Sequence, residues 1–153
     1  LTGAEALVQN KLFATLDSTT RRFSDGETTV LITDTVGFIK KLPHNLIESF
    51  KSTLAETREA DLILIISDAS HSAISEHLEI VANELNNISA PENRIQVMNK
   101  IDLLTPEQMS YIRRTFPKSH LISAKTGTGI DSLKSFILDQ AKKNQKEEYN
   151  EQN

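Results

Sequence analysis

The sequence has no cysteine and no long apolar run. The absence of cysteine excludes both a disulfide framework and a metal site built on thiolates, and it suits a reducing cytoplasm. The longest apolar run, Leu62 to Ile66, is far too short to span a bilayer. The net charge of −4 gives no support for a broad nucleic-acid-binding face that relies on bulk electrostatics. These absences are consistent with an ordinary globular protein.

Length and composition indicate a single domain. The 153 residues are 38% hydrophobic and 25% charged, which is usual for a protein with one core. We assign residues 1–141 to this domain. Residues 142–153 are charged and rich in amides, so we predict a C-terminal tail that is either a frayed helical end or a linker. Because the first residue is Leu1 rather than Met, we expect the chain to be a piece of a larger protein.

Strand and helix patterns alternate along the chain. Strands are predicted at residues 28–33, 61–67, 94–98 and 120–123, with a hairpin turn at Ser24–Glu27 that contains the favoured Asp-Gly pair. Helices are predicted at residues 46–58, 74–88 and 130–137. The strand at 61–67 is apolar on both faces, which is typical of a central parallel strand with helices above and below. The alternation predicts an α/β fold with a doubly wound, mostly parallel sheet.

One further helix has a distinct start signal. Thr105-Pro106-Glu107-Gln108 combines a capping box with proline at the first helical position. We therefore predict a helix that begins there. Its apolar stripe consists of Met109, Ile112 and Phe116.

Polar motifs follow three of the predicted strands. The first strand has the composition of a buried strand and ends on Asp34, and Gly37 follows three residues later. The next two motifs are Asn99-Lys100-Ile101-Asp102 and Ser123-Ala124-Lys125. Each motif alone is explained equally well by a solvated turn. Three of them in this order, at strand ends where open α/β sheets bind ligands, indicate a binding site.

In these motifs the chain resembles the GTPases, and its flanking residues resemble the HflX branch of the Obg-like GTPases. The closer resemblance is carried by the stretches Leu12–Arg22, Asp34–Ile39 and Leu42–His44, and it covers residues 1 to about 138. It implies a Ras-like P-loop GTPase fold. For the intact protein it implies GTP hydrolysis with Mg²⁺, association with the large ribosomal subunit and its RNA, and a cytoplasmic location. Another Obg-like or TrmE-like GTPase is an alternative, as is an unrelated doubly wound domain with chance motifs.

Asp102 is the residue expected to select guanine. An ionised carboxylate only accepts hydrogen bonds, and guanine offers two adjacent donors where adenine presents an acceptor. Such a bidentate contact discriminates by ~1–3 kcal/mol. The resemblance implies that Asn99 contacts the opposite edge of the base and that Lys100 lays its methylene stem along the base plane. It also implies that the Ala124 backbone N–H faces the guanine carbonyl, while Ser123 holds the loop.

The resemblance also assigns the phosphate end of the site. It gives GTP-binding roles to Asp34, Thr35, Val36, Gly37, Asn99, Lys100, Asp102, Ser123, Ala124 and Lys125. Asp34 is expected to hold Mg²⁺ through a water, because magnesium keeps waters and uses few carboxylates. Gly37 is expected to offer its N–H to the γ-phosphate. Thr15 is our candidate for a direct Mg²⁺ ligand in the first switch, with Thr19 and Thr20 as alternatives.

Phe38 occupies the position after Gly37, where Ras-like enzymes carry a glutamine that orients the attacking water. A phenyl ring neither donates nor accepts a hydrogen bond, so we identify no catalytic residue. The resemblance then implies slow intrinsic turnover that rises with a partner. Four basic residues flank the switch candidates: Arg21, Arg22, Lys40 and Lys41. They are either solvated charges or contacts to RNA phosphates or to transition-state charge.

The chain has no P-loop. The motif Gly-x-x-x-x-Gly-Lys-Ser/Thr cradles the β- and γ-phosphates, and none of the five glycines is followed by lysine. We expect the chain to begin after this motif, so that the preceding strand is missing too. That strand would lie between the strands that end on Asp34 and Asp68, and its loss would leave two unpaired edges. The isolated chain is therefore expected to be inactive without the missing N-terminal part. The alternative is a non-catalytic interaction module of a split GTPase.

Overall fold

A computed structural model of the chain describes residues 19–34 and 56–151. These residues fall into two compact units. The first unit consists of residues 19–34, 56 and 137–151, and the second unit consists of residues 57–136. Most of the predicted helix at residues 46–58 lies outside the described residues. None of the helices in the described part of the chain has the length and apolar character needed to cross a membrane.

The first two strands form the predicted hairpin. β1 (Thr19–Ser24) pairs antiparallel with β2 (Thr29–Asp34). The turn is built on Asp25, whose Oδ1 accepts hydrogen bonds from the backbone N–H of Glu27 (3.1 Å) and of Thr28 (2.8 Å). Gly26 takes a φ of +98°, which the absence of a Cβ permits. The Asp-Gly signal is thus confirmed.

β2 is not the buried strand that its composition suggested. Its residues alternate between exposed and half-buried, and Leu31 is 66% exposed. Within the described residues β2 pairs only with β1. An antiparallel hairpin of this kind leaves one face to solvent, whereas burial on both faces requires layers above and below.

Three parallel strands form the sheet of the second unit. β3 (Ile63–Asp68), β4 (Arg94–Asn99) and β5 (His120–Leu121) lie in that order. β5 is two residues shorter than predicted. The N–H of Ile122 still donates to the carbonyl oxygen of Met98 on β4, whereas the N–H of Ser123 donates to the carbonyl oxygen of Thr128.

Three helices begin where the sequence predicts them, and the last of them runs well beyond its predicted end. They are α1 (Ile74–Asn87), α2 (Pro106–Thr115) and α3 (Ile130–Glu151). The capping box of α2 is present: the Thr105 hydroxyl accepts from the N–H of Gln108 at 3.3 Å, and the Gln108 side chain accepts from the N–H of Thr105 at 2.9 Å. Ile112, in the centre of the predicted stripe, is buried.

Helices cover both faces of β4, so the predicted doubly wound arrangement is confirmed. Val97 and Met98 point to opposite faces and are both 0% exposed. Met98 belongs to a core cluster with α1 and α2 side chains that include Leu78 and Ile112. On the other face His120, the register partner of Val97, contacts Phe136 of α3 with ring centroids 4.4 Å apart.

β3 is less buried than its apolar run predicted. Ile66 is the register partner of Val97, yet it is 56% exposed. Within the described residues, β3 has a strand partner on one side only, as β2 has. On its other edge neither strand has a strand partner among the described residues, and Ile66 stays more than half exposed although Val97 is fully buried. The unpaired edges expected from the sequence stay a prediction.

The described C-terminal residues continue α3. The helix extends to Glu151, so residues 142–151 are helical. Lys142 places its Nζ 2.9 Å from Oδ2 of Asp25 and 3.7 Å from Oε2 of Glu27. The backbone N–H of Thr28 and the Lys142 ammonium together lower the pKa of Asp25 from 3.8 to about 2.

This lowered pKa predicts a pH-dependent contribution of Asp25 to stability. A carboxylate with a depressed folded-state pKa stabilises the fold above its unfolded pKa, and the contribution is lost as the pH falls from about 4 to about 2. Asp25→Asn should therefore be less stable than the parent chain at pH 7 and equal to it near pH 2. Urea unfolding across this range measures the difference, and a gap that stays constant with pH contradicts the prediction.

Gly129, just before α3, is required by sterics. Its φ is +74°, and a Cβ at this position would overlap the carbonyl oxygen of Leu121. Gly127 has a similar φ of +82°, but a Cβ there would meet no atom within 4 Å. Alanine substitution at Gly127 therefore measures the cost of a left-handed backbone alone. At Gly129 it measures that cost plus the cost of a steric overlap.

We predict that Gly129→Ala destabilises the chain more than Gly127→Ala. Gly127→Ala should cost about 1 kcal/mol for the left-handed backbone alone. Gly129→Ala should cost about 1–3 kcal/mol more, because the backbone must move to relieve the overlap. Equilibrium urea unfolding of both variants measures the gap, and equal free energies of unfolding would count against the steric explanation.

Candidate functional site

The Asn99-Lys100-Ile101-Asp102 motif forms a sharp turn at the end of β4. Asn99 is the last residue of the strand, Lys100 has a left-handed conformation (φ +65°), and residues Ile101–Leu103 form a 3₁₀ turn. A left-handed lysine costs roughly 1–2 kcal/mol. The Asn99 side chain helps to hold it, since its Oδ1 accepts a 2.8 Å hydrogen bond from the Lys100 N–H.

Asn99 also joins this turn to the second motif. The same Oδ1 accepts a hydrogen bond from the N–H of Ala124 at 2.9 Å. One half-buried amide oxygen therefore ties two loops together that are 25 residues apart in sequence. Among the predicted site residues, this brings Ala124 next to Asn99 and Lys100.

Ser123 fixes the carboxylate of Asp102. Its hydroxyl donates a 2.6 Å hydrogen bond to Oδ1 of Asp102 and accepts one from the N–H of Thr126 at 3.1 Å. Ser123 is 0% exposed, whereas Asp102 is exposed. The exposed carboxylate is therefore oriented from beneath by a buried hydroxyl, as a preorganised acceptor requires.

Lys100 makes a contact that the motif did not predict. Its Nζ lies 2.6 Å from Oδ2 of Asp68, the last residue of β3. The sequence pattern identified Asp68 only as the last residue of a strand. The available signal was its position, because the carboxyl ends of parallel strands meet at one edge of a sheet.

The phosphate-end candidates are described only in part. Asp34 ends β2 in the other unit and is exposed. Thr20, an alternative switch residue, shares a 2.9 Å hydrogen bond between its hydroxyl and that of Thr33. The remaining candidates lie outside the described residues: Thr15, Thr35, Val36, Gly37, Phe38, Lys40 and Lys41. Arg21 and Arg22 are exposed on β1, and Lys125 is exposed in its loop.

The arrangement in the second unit suits a planar polar ligand. Asp102 supplies an acceptor-only carboxylate, Ala124 a backbone N–H, and Lys100 a long apolar stem that ends on Asp68. These groups come from two loops at the carboxyl edge of a parallel sheet. Such an edge is where α/β proteins bind ligands.

Known proteins have sequences similar to this one. A family model described as "50S ribosome-binding GTPase" matches residues 1–100. The chain is 41% identical over 145 residues to the GTPase HflX of Treponema denticola, covering 91% of the chain and 37% of that relative. It is 44% identical over 139 residues to the GTPase HflX of Escherichia coli, covering 87% and 32% respectively. The chain thus spans about a third of the length of these curated relatives.

Solved structures share the fold. The crystal structure of the SsGBP and GDP complex matches with a TM-score of 0.68 at 20% identity, over 81% of this chain and 42% of that chain. Era in complex with MgGDPNP and nucleotides 1506–1542 of 16S ribosomal RNA matches with a TM-score of 0.60 at 26% identity, over 82% and 45%. Together with the doubly wound sheet and the family match, these similarities show that the chain belongs to the 50S ribosome-binding GTPase family and represents a GTPase domain of the HflX type.

Proposed function

We propose that this chain carries the guanine-recognition site of an HflX-type protein that, when intact, hydrolyses GTP to GDP. The observation that supports this most directly is the hydrogen bond from the buried Ser123 hydroxyl to Asp102. It uses one oxygen of an exposed carboxylate and sets the orientation of the group. A carboxylate oriented in advance recognises two adjacent donors without the entropic cost of ordering it during binding.

Guanine is the base that fits these groups. Its N1–H and exocyclic amine donate to Asp102, and its carbonyl oxygen accepts from the N–H of Ala124. That N–H donates to Asn99 Oδ1 in the structure, so it must share or release this hydrogen bond to reach the guanine carbonyl. Adenine presents an acceptor towards Asp102 instead of a donor, so binding adenine would bury unmatched groups.

The phosphate end of the same proposal uses Asp34 and Thr15 with Mg²⁺. Within the described residues, no three acidic, histidine or cysteine side chains converge on one point as a protein-only metal site would need. The Mg²⁺ proposal rests instead on the resemblance, since magnesium keeps several waters and binds through one or two carboxylates plus substrate phosphates. Asp34 would hold it through a water and Thr15 directly, while Thr35, Val36 and Gly37 contact the nucleotide. The metal would neutralise charge on the β- and γ-phosphates.

The partner we propose for the intact protein is the large ribosomal subunit in the cytoplasm. The matching family is described as 50S ribosome-binding, which supports the large subunit. The Era neighbour was solved with part of 16S ribosomal RNA, which belongs to the small subunit, so it supports contact with ribosomal RNA in general. On this chain, Arg21 and Arg22 are exposed on β1 and suit phosphate contacts. The net charge of −4 argues for a few local contacts rather than a wide basic face.

A second candidate is favoured by one sequence observation. No glycine of the chain is followed by lysine, so the chain contains no P-loop. We propose that the chain by itself selects guanosine but gains little affinity from added phosphates. In that case it acts as a non-catalytic module until the N-terminal part is supplied.

Exchange of one atom at Asp102 tests the base site. We predict that Asp102→Asn lowers the affinity for guanosine by about 5- to 100-fold, because an amide replaces one acceptor by a donor. The same variant should gain affinity for xanthosine, whose second carbonyl accepts from the new amide. Calorimetric titration with guanosine, xanthosine and adenosine measures both changes.

The parent chain provides the reference for that experiment. It should prefer guanosine over adenosine, and GDP should bind little more tightly than guanosine. A parent chain that does not discriminate between the two nucleosides contradicts the proposed function. Tight binding of GDP, far above guanosine, contradicts the second candidate alone.

Removal of the Ser123 hydroxyl tests how the carboxylate is held. We predict that Ser123→Ala costs about 1–3 kcal/mol in stability, because it leaves the Thr126 N–H without its partner, and that it also weakens guanosine binding. Ser119→Ala is the matched control, since that hydroxyl donates at 2.7 Å to the carbonyl oxygen of Phe116. The control should lose about 1 kcal/mol and keep its affinity for guanosine. Equal guanosine affinities in the two variants would refute the role of Ser123.

A further inference from the structure

An ion pair beside the base site has no part in the recognition described above. Lys100 Nζ lies 2.6 Å from Oδ2 of Asp68. Asp68 is the register partner of Asn99 in the parallel pair of β3 and β4. The parallel register therefore places Asp68, at the end of β3, beside Lys100, which follows the end of β4.

Asp68 is itself held on its other oxygen. Oδ1 accepts hydrogen bonds from the backbone N–H of Ser70 (2.9 Å) and from its hydroxyl (2.6 Å). Partial burial raises the pKa of Asp68, but the hydrogen bonds from Lys100 and Ser70 lower it by more, so it lies below its usual value. The group is thus a fixed anion at neutral pH, with one oxygen anchored in its own turn and the other directed at Lys100.

We propose that Asp68 is a positioning residue, which holds the Lys100 ammonium so that the methylene stem stands ready to cover the face of a bound guanine. This inference rests on the proposed function. A lysine stem has four rotatable bonds, and ordering such a side chain during binding weakens the affinity. When the ammonium is held before binding, that ordering is already complete. The parallel register of β3 and β4, which pairs Asp68 with Asn99, brings the two side chains within reach of each other.

The expected effect is modest because both partners are partly exposed. The side chain of Lys100 is 53% exposed and that of Asp68 is 32% exposed. Solvent screens pairs of this kind, so we expect loss of the pair to weaken guanosine binding by roughly two- to fivefold.

A double-mutant cycle on the full chain tests the proposal. Asp68→Asn removes the charge, but its amide oxygen can still accept from Ser70. Lys100→Met keeps the stem and removes the ammonium. Guanosine affinity is measured by calorimetry for the parent chain, both single variants and the double variant. Asp131→Asn is the matched control, since it removes an exposed aspartate 3.9 Å from Lys134 on α3.

We expect Asp68→Asn to lose roughly two- to fivefold in affinity, Asp131→Asn to match the parent, and Asp68→Asn to have no further effect in the Lys100→Met background. The ¹⁵N–¹H signal of the Lys100 ammonium, assigned by its loss in Lys100→Met, should be observable in the parent and lost in Asp68→Asn. An Asp68→Asn variant that binds as the parent does overturns the inference. So does a loss that persists at full size in the Lys100→Met background, since that would indicate a role in folding only.

The same experiment separates the two proposals. If the parent chain fails to prefer guanosine over adenosine, the proposed function fails, and the ammonium signal still reports whether the pair forms. If the parent chain prefers guanosine and only the cycle shows no coupling, the proposed function stands and the positioning role is wrong.

Discussion

The hydrogen bond between the Ser123 hydroxyl and the Asp102 carboxylate is the interaction on which the base site depends. It joins residues 21 positions apart, from loops that follow two different strands. Ser123 is fully buried and Asp102 is exposed, so the bond anchors a solvent-facing carboxylate to a fixed hydroxyl. The Asn99 amide adds a second link between the same loops. Together the two links hold acceptor and donor groups in fixed relative positions before any ligand arrives.

These loops are held in turn by the most buried strand of the second unit. β4 has helices on both faces, and Val97 and Met98 are inaccessible to solvent. The site residues follow directly after this strand, so a rigid element supports the loop that carries the chemistry. Gly129 serves the same end, because it lets the segment before α3 pass against Leu121 without a clash. The packing of the core therefore also fixes the positions of the binding groups.

Two strands show where an apolar pattern misleads. The runs in β2 and β3 predicted burial, yet Leu31 and Ile66 are more than half exposed. The apolar residues of a strand indicate which of its faces can be buried. A face is buried only where another layer of structure packs against it. Val97 is fully buried beside β5, whose His120 contacts Phe136 of α3, whereas its other register partner Ile66 remains exposed. Both strands also have an edge without a strand partner in the described residues, which is the kind of surface that invites further pairing.

Local signals in the sequence were enough to determine the hairpin turn, the α2 capping box, the alternation of strands and helices, and the order of the polar motifs. Each of these depends on residues within a few positions of one another, so the chain itself carries the information. The contacts of Ser123 with Asp102, Asn99 with Ala124 and Lys100 with Asp68 could not be predicted in this way. They join residues 21, 25 and 32 positions apart, and only the register of the parallel strands and the turns after them decides which side chains meet.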